Sequence, residues 1–201
     1  QDLEKALKKI DNADEYVCII ANWGIDHDNV FFKSYKQGIS KFYIEKPFAN
    51  SLFKIDQIKK IVKEKNLSVV SGFHHRHSNL LSQINDVAKK YLGGFPELIN
   101  VSGGANCIVT NGIHFLDLAC SIFKSNPISV SADLNKEYIN PRSKYLGFWG
   151  GVSSWNFPNK RKINICFTNK SSVRLTCDLI CPKGKINISI NGDMNIYIRD
   201  D

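Results

Sequence analysis

The segment 111–123 pairs an imidazole with a carboxylate at a spacing typical of one helix face. His114 lies three residues before Asp117, and residues three apart on a helix project from the same side. A carboxylate near an imidazole can fix its orientation and raise its basicity, as a general base for an alcohol proton requires. The alternative is a histidine at the start of a helix with an exposed aspartate. The pair is therefore a candidate for proton transfer.

A glutamate and a lysine stand at the end of an apolar run. Glu45 and Lys46 follow the run 42–44 and precede Pro47. That run predicts a strand of a parallel sheet, and doubly wound sheets bind ligands at the carboxyl ends of such strands. A strand end followed by a helix-starting proline is the alternative. We therefore treat Glu45 and Lys46 as candidate ligand contacts.

A basic segment follows residue 73. Arg76 is flanked there by His74, His75 and His77. The guanidinium fork suits polyol hydroxyls or a phosphate, so Arg76 is a candidate substrate contact, with surface solvation as the alternative. The three histidines follow a strand and would alternate faces if it continued, so a shared metal site would need a bend. We therefore predict no metal site.

The spacing of apolar residues over 16–73 predicts a β–α–β–α–β unit. Apolar runs alternate with helical patterns, at 16–21, 28–38, 40–45, 51–66 and 67–73. Right-handed crossovers between apolar strands imply a parallel sheet with helices on alternating sides, covering both faces. The GxGxxG turn that binds the cofactor phosphates of a doubly wound sheet is absent. We therefore predict an α/β fold, a partial Rossmann sheet that lacks its first βαβ unit.

The periodicity changes near residue 74, which predicts a second domain over 74–201. Helical patterns at 80–92 and 112–124 are followed by apolar runs separated by turns. This order is typical of an α+β domain around a mostly antiparallel sheet. We therefore expect domains at 1–73 and 74–201.

Two predicted strands of the second domain carry alternating apolar residues. These are Ile163, Ile165 and Phe167 in one run and Ile186, Ile188 and Ile190 in the other. If both sets cover the helices of a single core, no partner is needed. One layer of helices can shield only one face of a sheet, so apolar residues left on the other face mark a contact between subunits. We therefore expect a homo-oligomer that forms through the antiparallel sheet.

The chain has 201 residues with 27 basic and 19 acidic side chains, a net charge of +8. The lysines of the segment 51–66 fall on the polar side of an amphipathic helix, and no nucleic-acid-binding motif accompanies them, so we expect no nucleic-acid partner. No apolar run approaches the roughly 20 residues that cross a bilayer. The six cysteines form no CxxC pair and lie mostly in apolar stretches. We therefore expect a cytoplasmic protein with reduced thiols and no membrane contact.

Four segments occur in one order along the chain. A strand end leads to Asn22 and His27, then come the triplet EKP at 45–47, the segment VVSGFHHRHS at 69–78 and the segment GIHFLD at 112–117. Together they resemble the Gfo/Idh/MocA family of NAD(P)-dependent oxidoreductases, whose pattern runs from a TPnxxH strand end through EKP and vgfxxR to a GxHxxD helix. The resemblance covers about residues 14–134.

The resemblance implies hydride transfer between NAD or NADP and a sugar or polyol hydroxyl in the full-length protein, in surface-sugar metabolism. His114 would be the base, and Lys46 would bond the same hydroxyl and stabilise the alkoxide-like oxygen. The resemblance implies cofactor contacts at Asn22, His27, Glu45 and Lys46. The candidate substrate contacts are Arg76, Asn111 and Asp117. Because both catalytic groups must reach one carbon, we predict that Lys46 and His114 face a common cleft from different domains.

The missing GxGxxG turn and the residue Thr110 favour a second hypothesis, a non-catalytic binding or assembly protein on the same scaffold. Thr110 stands four residues before His114, where many family members carry an aspartate, so the neutral Asn111 would have to serve as the hydrogen-bonding neighbour. The strand-end proline is also missing, and Trp23 lies nearby. An aromatic ring there packs either on a cofactor ring or in the core.

Overall fold

The structure is a computed structural model that describes residues 3–137, 147–168, 170–189 and 193–199. It divides into two compact units, Gln1–Phe73 and His74–Asp201. Each unit has its own sheet and its own hydrophobic core. The assignment of the first unit to cofactor binding and of the second to substrate binding stays a prediction.

The first unit contains a parallel sheet with strand order β1-β2-β3. Its elements are, in chain order, α1 (Leu3–Leu7), β1 (Val17–Ile20), α2 (His27–Lys36), β2 (Lys41–Ile44), α3 (Leu52–Glu64) and β3 (Ser68–Ser71). The amphipathic α3 begins at Ser51, whose hydroxyl accepts a hydrogen bond from the backbone N–H of Lys54 at 3.3 Å. The predicted α/β class and parallel strands are confirmed.

Helices α2 and α3 pack against the same face of this sheet. Phe31 from α2 and Ile58 from α3 are fully buried in one core with Phe42 and Ile44 of β2. The prediction of helices on alternating sides is therefore wrong. Both crossovers step in the same direction along the order β1-β2-β3, and two right-handed crossovers in one direction place their helices on the same side.

The opposite face of the three-stranded sheet carries apolar side chains that remain accessible. Val17, Ile19 and Val70 are 57%, 69% and 41% exposed. They alternate along β1 and β3 with side chains that point into the core. Parallel sheets are normally covered on both faces. The described residues therefore supply the cover for one face only.

The second unit is built around a sheet with the strand order β10-β9-β8-β4-β7-β6-β5. Its elements are, in chain order, the 3-10 turn His74–His77, α4 (Leu80–Tyr91), β4 (Leu98–Gly104), the π-helical turn Ile108–Gly112, α5 (Ile113–Phe123), β5 (Ser129–Glu137), β6 (Phe148–Asn156), β7 (Lys162–Thr168), β8 (Thr176–Cys181), β9 (Gly184–Ser189) and β10 (Met194–Ile198). Neighbouring strands run antiparallel except for β4 and β7, which are parallel. The predicted α+β arrangement with a mostly antiparallel sheet is confirmed.

The core of the second unit lies between this sheet and the helices α4 and α5. The apolar strand residues on which the subunit contact was predicted belong to this core, namely Ile163, Ile165, Phe167, Ile186 and Ile188, while Ile190 lies outside the described residues. Ile84 of α4 and Leu118 of α5 cover them. Strand alternation points them all toward the helices, so of the two alternatives the structure has the single core, and these residues provide no apolar open face.

The open face of the seven-stranded sheet carries a row of polar side chains. Asn164 donates a hydrogen bond from Nδ2 to Oδ1 of Asn100 at 2.9 Å and accepts one from Ser154 Oγ at 2.7 Å. On the other side of the row, Asn187 donates to Asp178 at 2.7 Å. A contact between copies of the chain through this sheet stays a prediction. The polar side chains of this row offer it no apolar surface to bury.

None of the helices in the described residues is long and apolar enough to cross a membrane. The six cysteines are free thiols. Burial raises the pKa of Cys181 to about 11 and also raises the pKa of Cys177, so both thiols stay protonated at neutral pH.

Candidate functional site

The candidate residues fall into two groups, one in each unit. The first unit holds Asn22, His27, Glu45 and Lys46, and the second holds Arg76, Asn111, His114 and Asp117. The common cleft expected for Lys46 and His114 concerns both units together and stays a prediction.

The carboxyl ends of the three parallel strands meet at one edge of the first unit. The backbone N–H of Glu45 donates to the carbonyl of Ile20 at 2.8 Å, and that of Gly72 donates to Ile44 at 2.8 Å. These bonds continue the strand ladder one residue beyond the strands. Glu45 is therefore held between the ends of β1 and β3, at the edge where such sheets bind ligands.

The Glu45 carboxylate is fixed by its immediate neighbours. Its Oε1 accepts a hydrogen bond from the Tyr43 hydroxyl at 3.0 Å, and Oε2 accepts one from the backbone N–H of Lys46 at 3.3 Å. The bond to Glu45 raises the pKa of the Tyr43 phenol, which therefore stays protonated as the donor. A Cβ at Gly72 would lie 2.8 Å from the carboxyl carbon of Glu45. The glycine thus provides the space that the carboxylate occupies.

His27 joins the end of β1 to the EKP segment. The residue is 1% exposed. Its Nδ1 lies 2.8 Å from the carbonyl oxygen of Pro47, and its Nε2 lies 3.1 Å from that of Asn22. The tautomer decides which bond a neutral ring donates, whereas an imidazolium would donate both. Both ring nitrogens face backbone carbonyls, so the geometry gives His27 a role in positioning the strand ends.

In the second unit, the π-helical turn Ile108–Gly112 leads directly into α5. The Asn111 carboxamide oxygen accepts hydrogen bonds from the backbone N–H of Cys107 and from the Thr110 hydroxyl, both at 3.2 Å. Asn111 therefore uses its carbonyl to hold the turn, and its amide donor remains the part suited to a substrate oxygen. Single π-helical turns are frequent at functional sites. His114 lies two residues after this turn, in the first turn of α5.

Three histidine rings form an imidazole cluster at the start of α5, consisting of His74, His75 and His114. The ring centroids of His74 and His75 lie 4.0 Å apart, those of His74 and His114 lie 4.8 Å apart, and those of His75 and His114 lie 6.2 Å apart. We expected His74, His75 and His77 to alternate faces only if the strand continued; β3 instead ends at Ser71, and His74–His77 form a 3-10 turn. Among the described residues, no group of three His, Cys, Asp or Glu side chains is arranged to hold a metal ion.

The environment of His75 keeps its imidazole neutral. Burial, followed by the proximity of His74, lowers the pKa of His75 from 6.5 to about 4, although Asp117 acts in the opposite direction. The ring also lies beside Phe115, with centroids 6.2 Å apart. At neutral pH, His75 therefore adds no positive charge next to His114.

This low pKa predicts a pH-dependent stability. Between pH 6.5 and about 4, the unfolded chain binds a proton at His75 that the folded unit does not bind, so the free energy of unfolding falls as the pH is lowered through this range. A His75→Phe variant keeps an aromatic ring and removes this proton. The free energy of unfolding, measured by urea denaturation at several pH values, should depend less steeply on pH in His75→Phe, by up to about one proton. Equal slopes for His75→Phe, wild type and the exposed control His77→Phe would contradict the expectation.

Arg76 and Asp117 form an ion pair across 41 residues of sequence. Arg76 Nε donates to Asp117 Oδ1 at 2.6 Å, and Arg76 Nη2 contacts the same oxygen. Asp117 is 6% exposed, and its Oδ2 has no hydrogen-bond partner in the part of the chain that the structure describes. The hydrogen bond to Asp117 raises the pKa of the Arg76 guanidinium. We expected Asp117 to orient His114, whereas the structure places Arg76 on Oδ1 and leaves Oδ2 buried.

Removing the cation of this pair should destabilise the second unit. We expect Arg76→Met to lower the free energy of unfolding by about 2–3 kcal/mol, because the buried Asp117 carboxylate loses its counter-ion. The half-exposed position of Arg76 keeps the figure below that of a fully buried pair. A matched control is Lys33→Met, which breaks an ion pair with Glu4 in which both side chains are about half exposed or more and should cost at most about 1 kcal/mol. Equal losses of unfolding free energy in Arg76→Met and Lys33→Met, measured by urea denaturation, would contradict a stabilising Arg76–Asp117 pair.

A shallow cavity of about 340 Å³ opens beside the Arg76 guanidinium. Its lining is polar and consists of Arg76, Cys120, Ser121, Lys124, Ser125 and Asn126. The Ser121 hydroxyl donates to the backbone carbonyl of Asp117 at 2.9 Å, so its oxygen can still accept a hydrogen bond. A guanidinium, an ammonium and several neutral polar groups together suit a ligand rich in hydroxyls.

Three solved structures illustrate the likeness of this fold to known proteins. UDP-N-acetylglucosamine 3-dehydrogenase GnnA from Acidithiobacillus ferrooxidans is 18% identical, with a TM-score of 0.76 over 98% of this chain and 65% of that protein. KijD10, a 3-ketoreductase from Actinomadura kijaniata solved with TDP-benzene and NADP, is 12% identical, with a TM-score of 0.76 over 98% and 65%. An oxidoreductase from Agrobacterium radiobacter solved with NAD+, L-tartaric acid and magnesium is 15% identical, with a TM-score of 0.69 over 96% and 62%.

At these identities the likeness shows a shared fold alone. The chain spans slightly less than two thirds of the length of these proteins. No protein-family model matches the chain, and no curated protein matches it by sequence.

Proposed function

We propose that the protein is an NAD(P)-dependent oxidoreductase of the Gfo/Idh/MocA family that acts on a hydroxyl group of a sugar or polyol. The observation that carries the proposal is the coincidence of the four ordered motifs with a fold shared by a sugar-nucleotide 3-dehydrogenase and a 3-ketoreductase. Neither the motifs nor the fold would suffice alone, because each recurs in proteins of other function.

The residues at the edge of the first unit fit the nicotinamide end of a dinucleotide. Glu45 presents a fixed carboxylate, which accepts hydrogen bonds from hydroxyls, and Gly72 leaves the space that this carboxylate occupies. We propose that Asn22, Glu45 and Lys46 hold this part of the cofactor, with His27 positioning the strand ends. The 201 residues contain no GxGxxG turn for the pyrophosphate. When bound, the cofactor accepts or donates the hydride.

The side chains of this chain supply the proton chemistry. A ring nitrogen of His114 takes the proton of the substrate hydroxyl, and the Lys46 ammonium donates a hydrogen bond to the same oxygen and stabilises its developing negative charge. Asp117 Oδ2 is a buried acceptor suited to a neighbouring hydroxyl of the substrate. The Asn111 side-chain amide can donate a hydrogen bond to a further hydroxyl of the substrate. A sugar or polyol offers several adjacent hydroxyls, which this set of groups matches.

The test is turnover of the full-length protein with NAD+ or NADP+ and a panel of free sugars, polyols and nucleotide-linked sugars. Growth of the reduced-nicotinamide absorbance with at least one of these alcohols supports the proposal. Binding of NAD(P) should be measured separately by quenching of tryptophan fluorescence. A protein that binds neither the cofactor nor any member of the panel refutes it.

A non-catalytic binding or assembly role is the second candidate, and Thr110 favours it. A threonine hydroxyl cannot supply the negative charge that an aspartate would place four residues before His114. In the same assay, this candidate predicts binding of a sugar or cofactor without turnover. A Thr110→Asp variant then discriminates further, since a gain of turnover in this variant alone would assign the missing activity to that one side chain.

A further inference from the structure

We propose that His74 accepts the proton that His114 takes from the substrate hydroxyl and passes it on to solvent. The proposal rests on the proposed function, in which His114 is the general base. It concerns a step that the four family motifs leave open, namely how the base is returned to its neutral state after each turnover.

The proton balance defines the need for such a step. Oxidation of an alcohol breaks one C–H bond and one O–H bond and forms a carbonyl. The hydride leaves with the C–H electron pair to the nicotinamide, and the hydroxyl proton goes to His114. The base can act again only after this proton has left. His114 is only partly accessible, and a bound substrate would reduce its contact with water further.

The imidazole cluster offers a route out. The ring centroid of His74 lies 4.8 Å from that of His114, with 57° between the ring planes, and His74 is solvent-exposed. An imidazole can accept a proton at one nitrogen and release one from the other, which suits it to transfer between a base and water. A proton passed from His114 to His74 would therefore reach the surface in one step.

The other groups around the cluster leave His74 as the relay. His75 stays neutral because its pKa is about 4, so it does not hold the proton near pH 7. Its ring packs against that of His74, with the centroids 4.0 Å apart. The charges packed nearby, Arg76 from the 3-10 turn and Asp117 from α5, are paired with each other. The nearby thiol of Cys120 is neutral, because burial raises its pKa.

The decisive variant is His74→Phe, which keeps an aromatic ring and removes both nitrogens. We expect the turnover number in dilute buffer to fall by about 10- to 100-fold with little change in KM. Added imidazole buffer should restore turnover, because a small base can take the proton from His114 in place of His74. His77→Phe is the matched control, since it changes a histidine of the same turn and should leave turnover unchanged at every buffer concentration.

A second readout needs neither cofactor nor substrate. In the chain labelled with nitrogen-15 at the histidine rings, the ring N–H proton of His114 should exchange with water more slowly in His74→Phe than in wild type or His77→Phe. Identical His114 exchange rates in all three chains would overturn the relay. So would normal turnover of His74→Phe in dilute buffer. Absence of turnover in the wild type would refute the proposed function and the relay with it, so the two failures are distinguishable.

Discussion

Replacing His114 with asparagine is expected to lower the turnover number of the full-length protein by about 10²- to 10⁴-fold. Asparagine resembles the imidazole in size and polarity, but its amide cannot take a proton from the substrate hydroxyl. Loss of the base should therefore appear in the chemical step. Substrate and cofactor affinities should change little, because Lys46, Glu45 and Asp117 remain.

The measurement is steady-state turnover with the alcohol that the wild type oxidises, together with a pH profile. Wild type should lose activity as the base becomes protonated at low pH, and His114→Asn should lack that limb of the profile. His77→Asn is the control for replacement of an exposed histidine. Residual turnover within a factor of three of wild type would assign the proton to another group.

The parallel sheet of the first unit was predictable from local patterns. The runs that became β1, β2 and β3 are short, apolar and separated by helical periods, which defines both strand type and connection. The side on which the helices pack is not a local property. It follows from the order of the strands in the sheet, and the order β1-β2-β3 places α2 and α3 together.

The second sheet shows the same limit in another form. Alternation along β7 correctly groups Ile163, Ile165 and Phe167 on one face. Alternation does not reveal which face the helices cover, and here the apolar face is the covered one. The polar partners, such as Asn164, face outward and bond across strands. A pattern that looks like a surface for a second subunit was therefore the core itself.

The candidate site was predictable residue by residue but not as an arrangement. His114 and Asp117 share a helix, so their proximity follows from spacing. The partner of Asp117 is Arg76, 41 residues away, and the ring beside His114 is His74 from the same distant segment. Both contacts depend on the 3-10 turn after β3, which apolar periodicity does not reveal. The sequence signal for these contacts was the segment that holds His74, His75 and His77. Its side chains could be placed only once the 3-10 turn was known.

Replacing Lys46 with methionine is expected to lower the turnover number by about 10²- to 10³-fold, as the loss of one preorganised charge at a developing oxyanion does. Methionine keeps the length and the apolar stem of the side chain, so packing around the EKP segment should be retained. Because Lys46 and His114 are proposed to act on one oxygen, their effects should not add. The double variant with His114→Asn should be little worse than the more damaging single variant.

The control for loss of a lysine is Lys63→Met, on the solvated side of α3 and exposed. It should leave turnover unchanged. A Lys46→Arg variant tests the point charge separately, because the planar guanidinium keeps the positive charge but cannot replace the compact ammonium at a single oxygen. Partial recovery in Lys46→Arg is the expected result. Fully additive losses in the double variant would mean that the two residues act at different steps, and the single site proposed for Lys46 and His114 would then have to be abandoned.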